Sequence, residues 1–170
     1  PYIGFVLIPD KNQLWISDGK KTWCERRDGS KCDPMLFKYK NLQEMKLVTS
    51  KNHGNEILQN LIQKINFCKV TVMGSIGCKI ASIASGESDI YICLSLPGKS
   101  SPKDWDFAAP ESILKTAGGA ITSLDNQELS YGKNNYEQKG IIVATNNRHK
   151  HGSICLEIMK IIEDNKLYPF

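Results

Sequence analysis

The chain has 170 residues, 41% of them hydrophobic and 24% charged, with a formal net charge of +4. That is enough apolar material for one domain core and too balanced a charge for a disordered tail. The mild positive charge suits an anionic small molecule, whereas the basic clusters KTWCERR and NNRHKH are short, interrupted and read as solvated surface, so no nucleic-acid partner is expected.

IGFVLIP is apolar and β-branched, DKNQ is a turn and LWIS resumes the strand, which predicts a hairpin over residues 3–17. KTWCERRDGSKCD continues as a further extended piece with a glycine turn, and residues 34–45 give weak signals. KLVTS is a short strand, and Ile57, Leu61, Ile62 and Ile65 mark one face of a helix. KVTVMG is a strand running into SIGCKIASIASG, a helix that ends at Gly86. DIYICLS is the next strand, followed by the loop LPGKSSPKD and a helix that carries Ala108, Ala109, Ile113, Leu114 and Ala117 before Gly118 and Gly119 stop it. AITSLD, ELSY and GIIVATN read as strands, and a last helix buries Ile154, Ile158, Ile161 and Ile162. The fold expected is layered α/β, with antiparallel strands at the start followed by an alternating β/α lobe.

No apolar run approaches the ~20 residues of a membrane helix, and PYIGFVLIPD lacks the features of a signal peptide. Cys24, Cys32, Cys68, Cys78, Cys93 and Cys155 form no C-x-x-C pair, so buried, reduced thiols in a cytoplasmic protein are expected, with no membrane partner.

Ligands of open α/β sheets gather where strands end and helices begin. Three such ends carry suggestive chemistry: TSKNH, MGSIGCK and GKSSPKDWD. They bring Ser50, His53, the backbone amides at Gly74 and Ser75, Lys79 and Asp106 to one expected edge. Asp106 reads either as a helix cap or as a ligand for Mg²⁺, which takes one or two carboxylates plus phosphate oxygens and water. GSIGCK lacks the spacing of a true P-loop, but small residues at a helix start let N–H groups face an anion, with Lys79 adding a full charge. A plain turn with a solvated lysine is the other reading. His53, beside Ser50 and Asn52, either contacts a nucleotide or is a solvated loop histidine. His149 and His151 receive no role.

With these residues in view, the chain resembles the carboxyl-terminal half of the lithium-sensitive, Mg²⁺-dependent phosphatases, the superfamily of inositol monophosphatase and the 3′(2′),5′-bisphosphate nucleotidases. WDFAAPESILKTAGG matches the segment W-D-x-x-A-P-E-x-I-L-x-x-x-G-G, while SKNH and GSIGCK resemble the nucleotidase branch. The resemblance implies a sugar-phosphatase-type layered fold, with residues 1–45 ending an amino-terminal antiparallel sheet region and 46–170 forming the carboxyl-terminal α/β lobe. It implies Mg²⁺ held by Asp106 and a nucleotide contacted by Ser50, His53, Gly74 or Ser75, and Lys79. The substrate implied is 3′-phosphoadenosine 5′-phosphate, converted to AMP in sulfate assimilation. Some nucleotidases place a phosphate-binding arginine where Cys93 stands, and Lys99 or Lys103 is the candidate substitute. The family's Glu-Glu pair and its Asp-Pro-x-Asp-Gly-Thr segment are not in this sequence, since Asp33-Pro34 is followed by Leu36 where the second Asp would stand. The expected partner is therefore a metal-binding amino-terminal half outside these residues, and the chain alone is expected to be nearly inactive; a homodimer is left open. The alternatives are an inositol monophosphatase or sugar bisphosphatase, or a non-catalytic nucleotide-binding lobe.

Overall fold

A computed structural model describes residues 1–35, 40–50, 56–96 and 99–167. Four antiparallel strands form a first sheet in chain order: β1 (Gly4–Ile8), β2 (Gln13–Ser17), β3 (Thr22–Arg26) and β4 (Lys31–Cys32). The register sets Val6 opposite Trp15, Trp15 opposite Cys24 and Cys24 opposite Cys32. Side chains alternate faces along a strand, so these four share one face and enter one cluster, while Phe5 and Leu7 point the other way and are exposed. The expected hairpin over residues 3–17 is present.

The second sheet has the order β6-β5-β7-β9-β8, with β5 (Lys46–Ser50), β6 (Lys69–Met73), β7 (Ile90–Ser95), β8 (Ala120–Ser123) and β9 (Gly140–Thr145). Strand β5 runs parallel to β6 and β7, whereas β9 is antiparallel to β7 and β8. Helices α1 (Glu56–Ile65) and α4 (Arg148–Asp164) cover one face, meeting Leu47, Ile90, Ile92, Leu94, Ile141 and Val143. Helices α2 (Ile76–Ala84) and α3 (Asp104–Thr116) cover the other, where Ile80, Ile83, Phe107 and Leu114 meet Val48, Tyr91, Cys93, Ile142 and Ala144. The far sides of α2 and α3, through Ala81, Ala84 and Ile113, close onto Trp15 of the first sheet. The result is four layers, helix–sheet–helix–sheet, in agreement with the layered α/β expectation.

Several details differ from the sequence reading. ELSY forms no strand: only Glu128 makes an isolated bridge to Thr122, and Tyr131 turns its hydroxyl to Glu111 on α3. The Ser130 carbonyl accepts from the Gln138 side chain at 2.9 Å. The segment thus finds its polar partners in side chains, and β9 follows β8 with only a single 3-10 turn, Asn134–Tyr136, between them. In α1 the core position falls to Leu58, with Ile57 only partly buried. Likewise Ile161 of α4 is only partly buried. Among the cysteines, all free, Cys68 is exposed rather than buried.

His151 ties α4 to the edge of the sheet. It is 1% exposed, with Nε2 2.7 Å from Thr122 Oγ1 and Nδ1 2.8 Å from Thr145 Oγ1. Burial pushes its imidazole down to about 4, so it is neutral in the fold. The turn from α3 into β8 is equally tight. Gly118 has φ +92°, and a Cβ on Gly119 would lie 2.5 Å from the Thr145 carbonyl oxygen and 2.7 Å from Leu114 Cδ1.

Two outcomes are expected. Because unfolding exposes His151 to protonation below its ordinary value of 6.5, this residue's contribution is present above that pH and lost as pH falls toward 4. The loss reaches about 3 kcal/mol from this group alone. Urea titrations between pH 7 and 4.5 should show a steeper decline in the parent than in His151→Gln; equal slopes would refute the assignment. Gly119→Ala should cost about 1–3 kcal/mol through overpacking, read from the same denaturation midpoint at neutral pH.

Candidate functional site

Parity along the central strands decides what faces the gap between the five-stranded sheet and α2/α3. Val48 points to that side, so Ser50, two residues on at the end of β5, does too. On β7, Tyr91 and Cys93 take the same side, opposite Ile90, Ile92 and Leu94. Just beyond β6 the chain reaches Gly74 and Ser75 and enters α2. These residues, with Ile76, Lys79, Ser100, Ser101, Pro102 and Asp106, line a cavity of about 390 Å³. That is within the range of small-molecule sites.

The α2 end of the cavity carries positive charge and open N–H groups. Ser75 is the N-cap residue but makes no side-chain cap hydrogen bond. The first N–H groups of a helix have no intrahelical acceptor, and the helix dipole adds partial positive charge there. A Cβ on Gly74 would meet no atom within 4 Å, so the backbone is open on that side. Lys79 sits on the α2 stripe that faces the sheet, with Ile76, Ile80 and Ile83, and is fully buried. Its Nζ donates to the Gly74 carbonyl at 3.0 Å and lies 5.4 Å from the centre of the Tyr91 ring. Burial holds this ammonium below the usual lysine range, opposed by nearby Cys93, Cys78 and Asp106. One carbonyl and one ring face leave N–H donors available to an incoming anion.

Asp106 both caps and lines. Its Oδ2 accepts the Lys103 backbone N–H at 2.8 Å, which closes the first turn of α3, and the carboxylate still borders the cavity. Asp104, two residues earlier, is fully engaged elsewhere: it accepts from Gly132 N at 2.7 Å and Gln138 Nε2 at 2.6 Å. Among the described residues no group of three or more His, Cys, Asp and Glu side chains is arranged to hold a metal. Asp106 alone meets the lower limit of what Mg²⁺ takes from protein when phosphate and water complete its shell. The residues present therefore fit one part of a metal site.

The fold thus brings Ser50, Gly74, Ser75, Lys79 and Asp106 to one cavity. His53 lies outside the described residues. Lys99 and Lys103 do not line the cavity, and Lys103 is committed to Glu137 at 3.0 Å and to the Asn135 carbonyl at 3.2 Å. Sequence reasoning gave Tyr91 no role. IYICL, between Asp89 and Ser95, has no polar–apolar alternation, so its facing cannot be read from the sequence; only the stacking of α2 on the sheet reveals it.

Comparison with known proteins agrees with this architecture. The chain is 32% identical over 131 residues to the 3′(2′),5′-bisphosphate nucleotidase CysQ of Buchnera aphidicola, covering 77% of this chain and 46% of that protein. It is 30% identical to mouse 3′(2′),5′-bisphosphate nucleotidase 1, covering 72% of this chain and 38% of the relative. Among solved structures, the inositol monophosphate-bound SaIMPase-II superposes with a TM-score of 0.72 at 22% identity, over 98% of this chain and 60% of that one. CysQ from Bacteroides thetaiotaomicron superposes with a TM-score of 0.68 at 20% identity, over 87% of this chain and 59% of that one. The chain thus spans less than half the length of these two curated relatives. The sequence model described as the Inositol monophosphatase family matches residues 1–163, and the chain belongs to that family.

Proposed function

We propose that the chain is the carboxyl-terminal lobe of a Mg²⁺-dependent phosphatase that removes the 3′-phosphate of 3′-phosphoadenosine 5′-phosphate, leaving AMP and inorganic phosphate. The observation that carries this reading is the meeting of the α2 amino terminus, Lys79 and Asp106 around one cavity of about 390 Å³. An anion held by oriented N–H groups and a buried ammonium is matched to phosphate. A carboxylate at the same wall suits a divalent cation, which when bound neutralises phosphoryl charge. The names of the two nucleotidase relatives favour the nucleotide over inositol phosphates.

In this reading Ser50 and His53 contact the nucleotide, His53 near the adenine, Gly74 or Ser75 offers a backbone amide to a phosphate, and Lys79 balances its charge. Asp106 shares the cation with carboxylates supplied by an amino-terminal half. The exposed apolar row along β1 and the residue before it, with Ile3, Phe5 and Leu7 more than half exposed, is a surface for that half to cover. Residues 1–45 then complete the sheet it joins, and 46–170 form the α/β lobe. Lithium sensitivity, a place in sulfate assimilation and a cytoplasmic location belong to the same proposal; the free cysteines suit that last point, and no helix among the described residues is long and apolar enough to cross a membrane.

Phosphate release from 3′-phosphoadenosine 5′-phosphate with Mg²⁺ tests the reading. The isolated 170 residues should stay near background, whereas a longer protein carrying the amino-terminal half should turn over. Fast turnover by the isolated chain would sink the shared-metal idea. In the longer protein, Lys79→Ala should lower kcat/KM for the bisphosphate by about 10–100-fold, the scale of a hydrogen bond to a charged group. The loss on inositol 1-phosphate should be smaller, and equal losses would argue against the nucleotide branch.

A further inference from the structure

Tyr91 is fully buried in the central strand, yet its hydroxyl is the one buried side-chain polar atom without a hydrogen-bond partner among the described residues. Ser50 and Cys93 lie close enough to act on its ionisation as hydrogen-bonding neighbours, yet neither makes a well-formed hydrogen bond to it. Native folds rarely leave a buried hydroxyl unpaired, because losing water without gaining a partner is costly. Tyr91 nonetheless borders the cavity with Ser50, Lys79 and the start of α2. Its ring meanwhile supports the Lys79 ammonium at 5.4 Å. A phenol has one O–H to donate, and its surroundings are rich in donors: the α2 N–H groups, the ammonium and the Ser50 hydroxyl. The Ser50 oxygen and the Asp106 carboxylate also border the cavity, but among the described residues no acceptor is bonded to the phenol.

We infer that Tyr91 is a ligand-binding residue whose O–H donates to a phosphoryl oxygen seated between it, Lys79 and the amino terminus of α2. The inference rests on the phosphate-binding reading of this cavity and adds a neutral, directional donor to it. A cation attracts any anion at short range, whereas a phenol fixed in a strand discriminates by position. Tyr91 therefore helps set where the phosphate lies, and Cys93 beside it keeps that wall uncharged.

Calorimetry on the 170-residue chain without metal, using AMP, adenosine and inorganic phosphate as probes, tests this on Tyr91→Phe. The variant keeps the ring and its contact with Lys79 and removes only the oxygen. AMP affinity should fall at least about tenfold, adenosine affinity should change less than about twofold, and the melting temperature of the free protein should hold or rise. That combination separates a ligand contact from a structural role, which would lower the melting temperature and weaken every ligand alike. Unchanged AMP affinity, or an equal loss on adenosine, overturns the Tyr91 contact and leaves the nucleotide reading standing. Tyr91-dependent binding of inorganic phosphate with no AMP binding keeps the contact and overturns the nucleotide reading. A parent chain that binds neither AMP nor phosphate overturns both.

Discussion

Strand β7 is closed on both faces, and that constraint organises the molecule. Every residue from Ile90 to Ser95 is buried, so each side chain must match a different neighbour above or below the sheet. Ile90, Ile92 and Leu94 are gripped by α1 and α4, while Tyr91 and Cys93 meet α2 and α3. A slip of one residue would exchange the two sets and put a phenol and a thiol among isoleucines. The β5 and β9 pairings hold the register on either side. Asp89, just before β7, reinforces it by accepting from Lys46 N at 2.8 Å and from Lys40 Nζ at 2.9 Å.

The cavity is a consequence of that register. Helix α2 must lie against the sheet to bury Ile80 and Ile83, and this lays Lys79 over the Tyr91 ring. An ammonium out of water is expensive unless compensated. Here the compensation is incomplete, with one carbonyl, one aromatic face and Asp106 across the cavity. Donors thus stay unmet on two elements beside one cavity: the start of α2 with Lys79, and the Tyr91 hydroxyl of β7. Stability has been conceded at the positions that surround the opening, as is common at functional sites. By contrast, two other acids of α3 are engaged within the scaffold, Asp104 by Gly132 and Gln138 and Glu111 by Tyr131 and Lys115. They serve the scaffold.

The sequence by itself determined the initial hairpin, the four helices and most strands, because these follow from local periodicity and from punctuation such as Gly86 and Gly118. It also marked Ser50, Gly74, Ser75, Lys79 and Asp106, since strand ends followed by small or charged residues have a recognisable pattern. Failures occurred where tertiary partners outvoted local preference. ELSY has strand-like composition, but its polar groups pair with side chains of α3 and its surroundings, so no ladder forms. Only the packed fold decided that His151 is a neutral latch between Thr122 and Thr145, that Lys103 belongs to Glu137, and that Tyr91 borders the cavity. The physical reason is range. Periodicity reports neighbours within a turn or two, whereas burial, desolvation and hydrogen-bond satisfaction depend on residues dozens of positions away that meet only when the layers close.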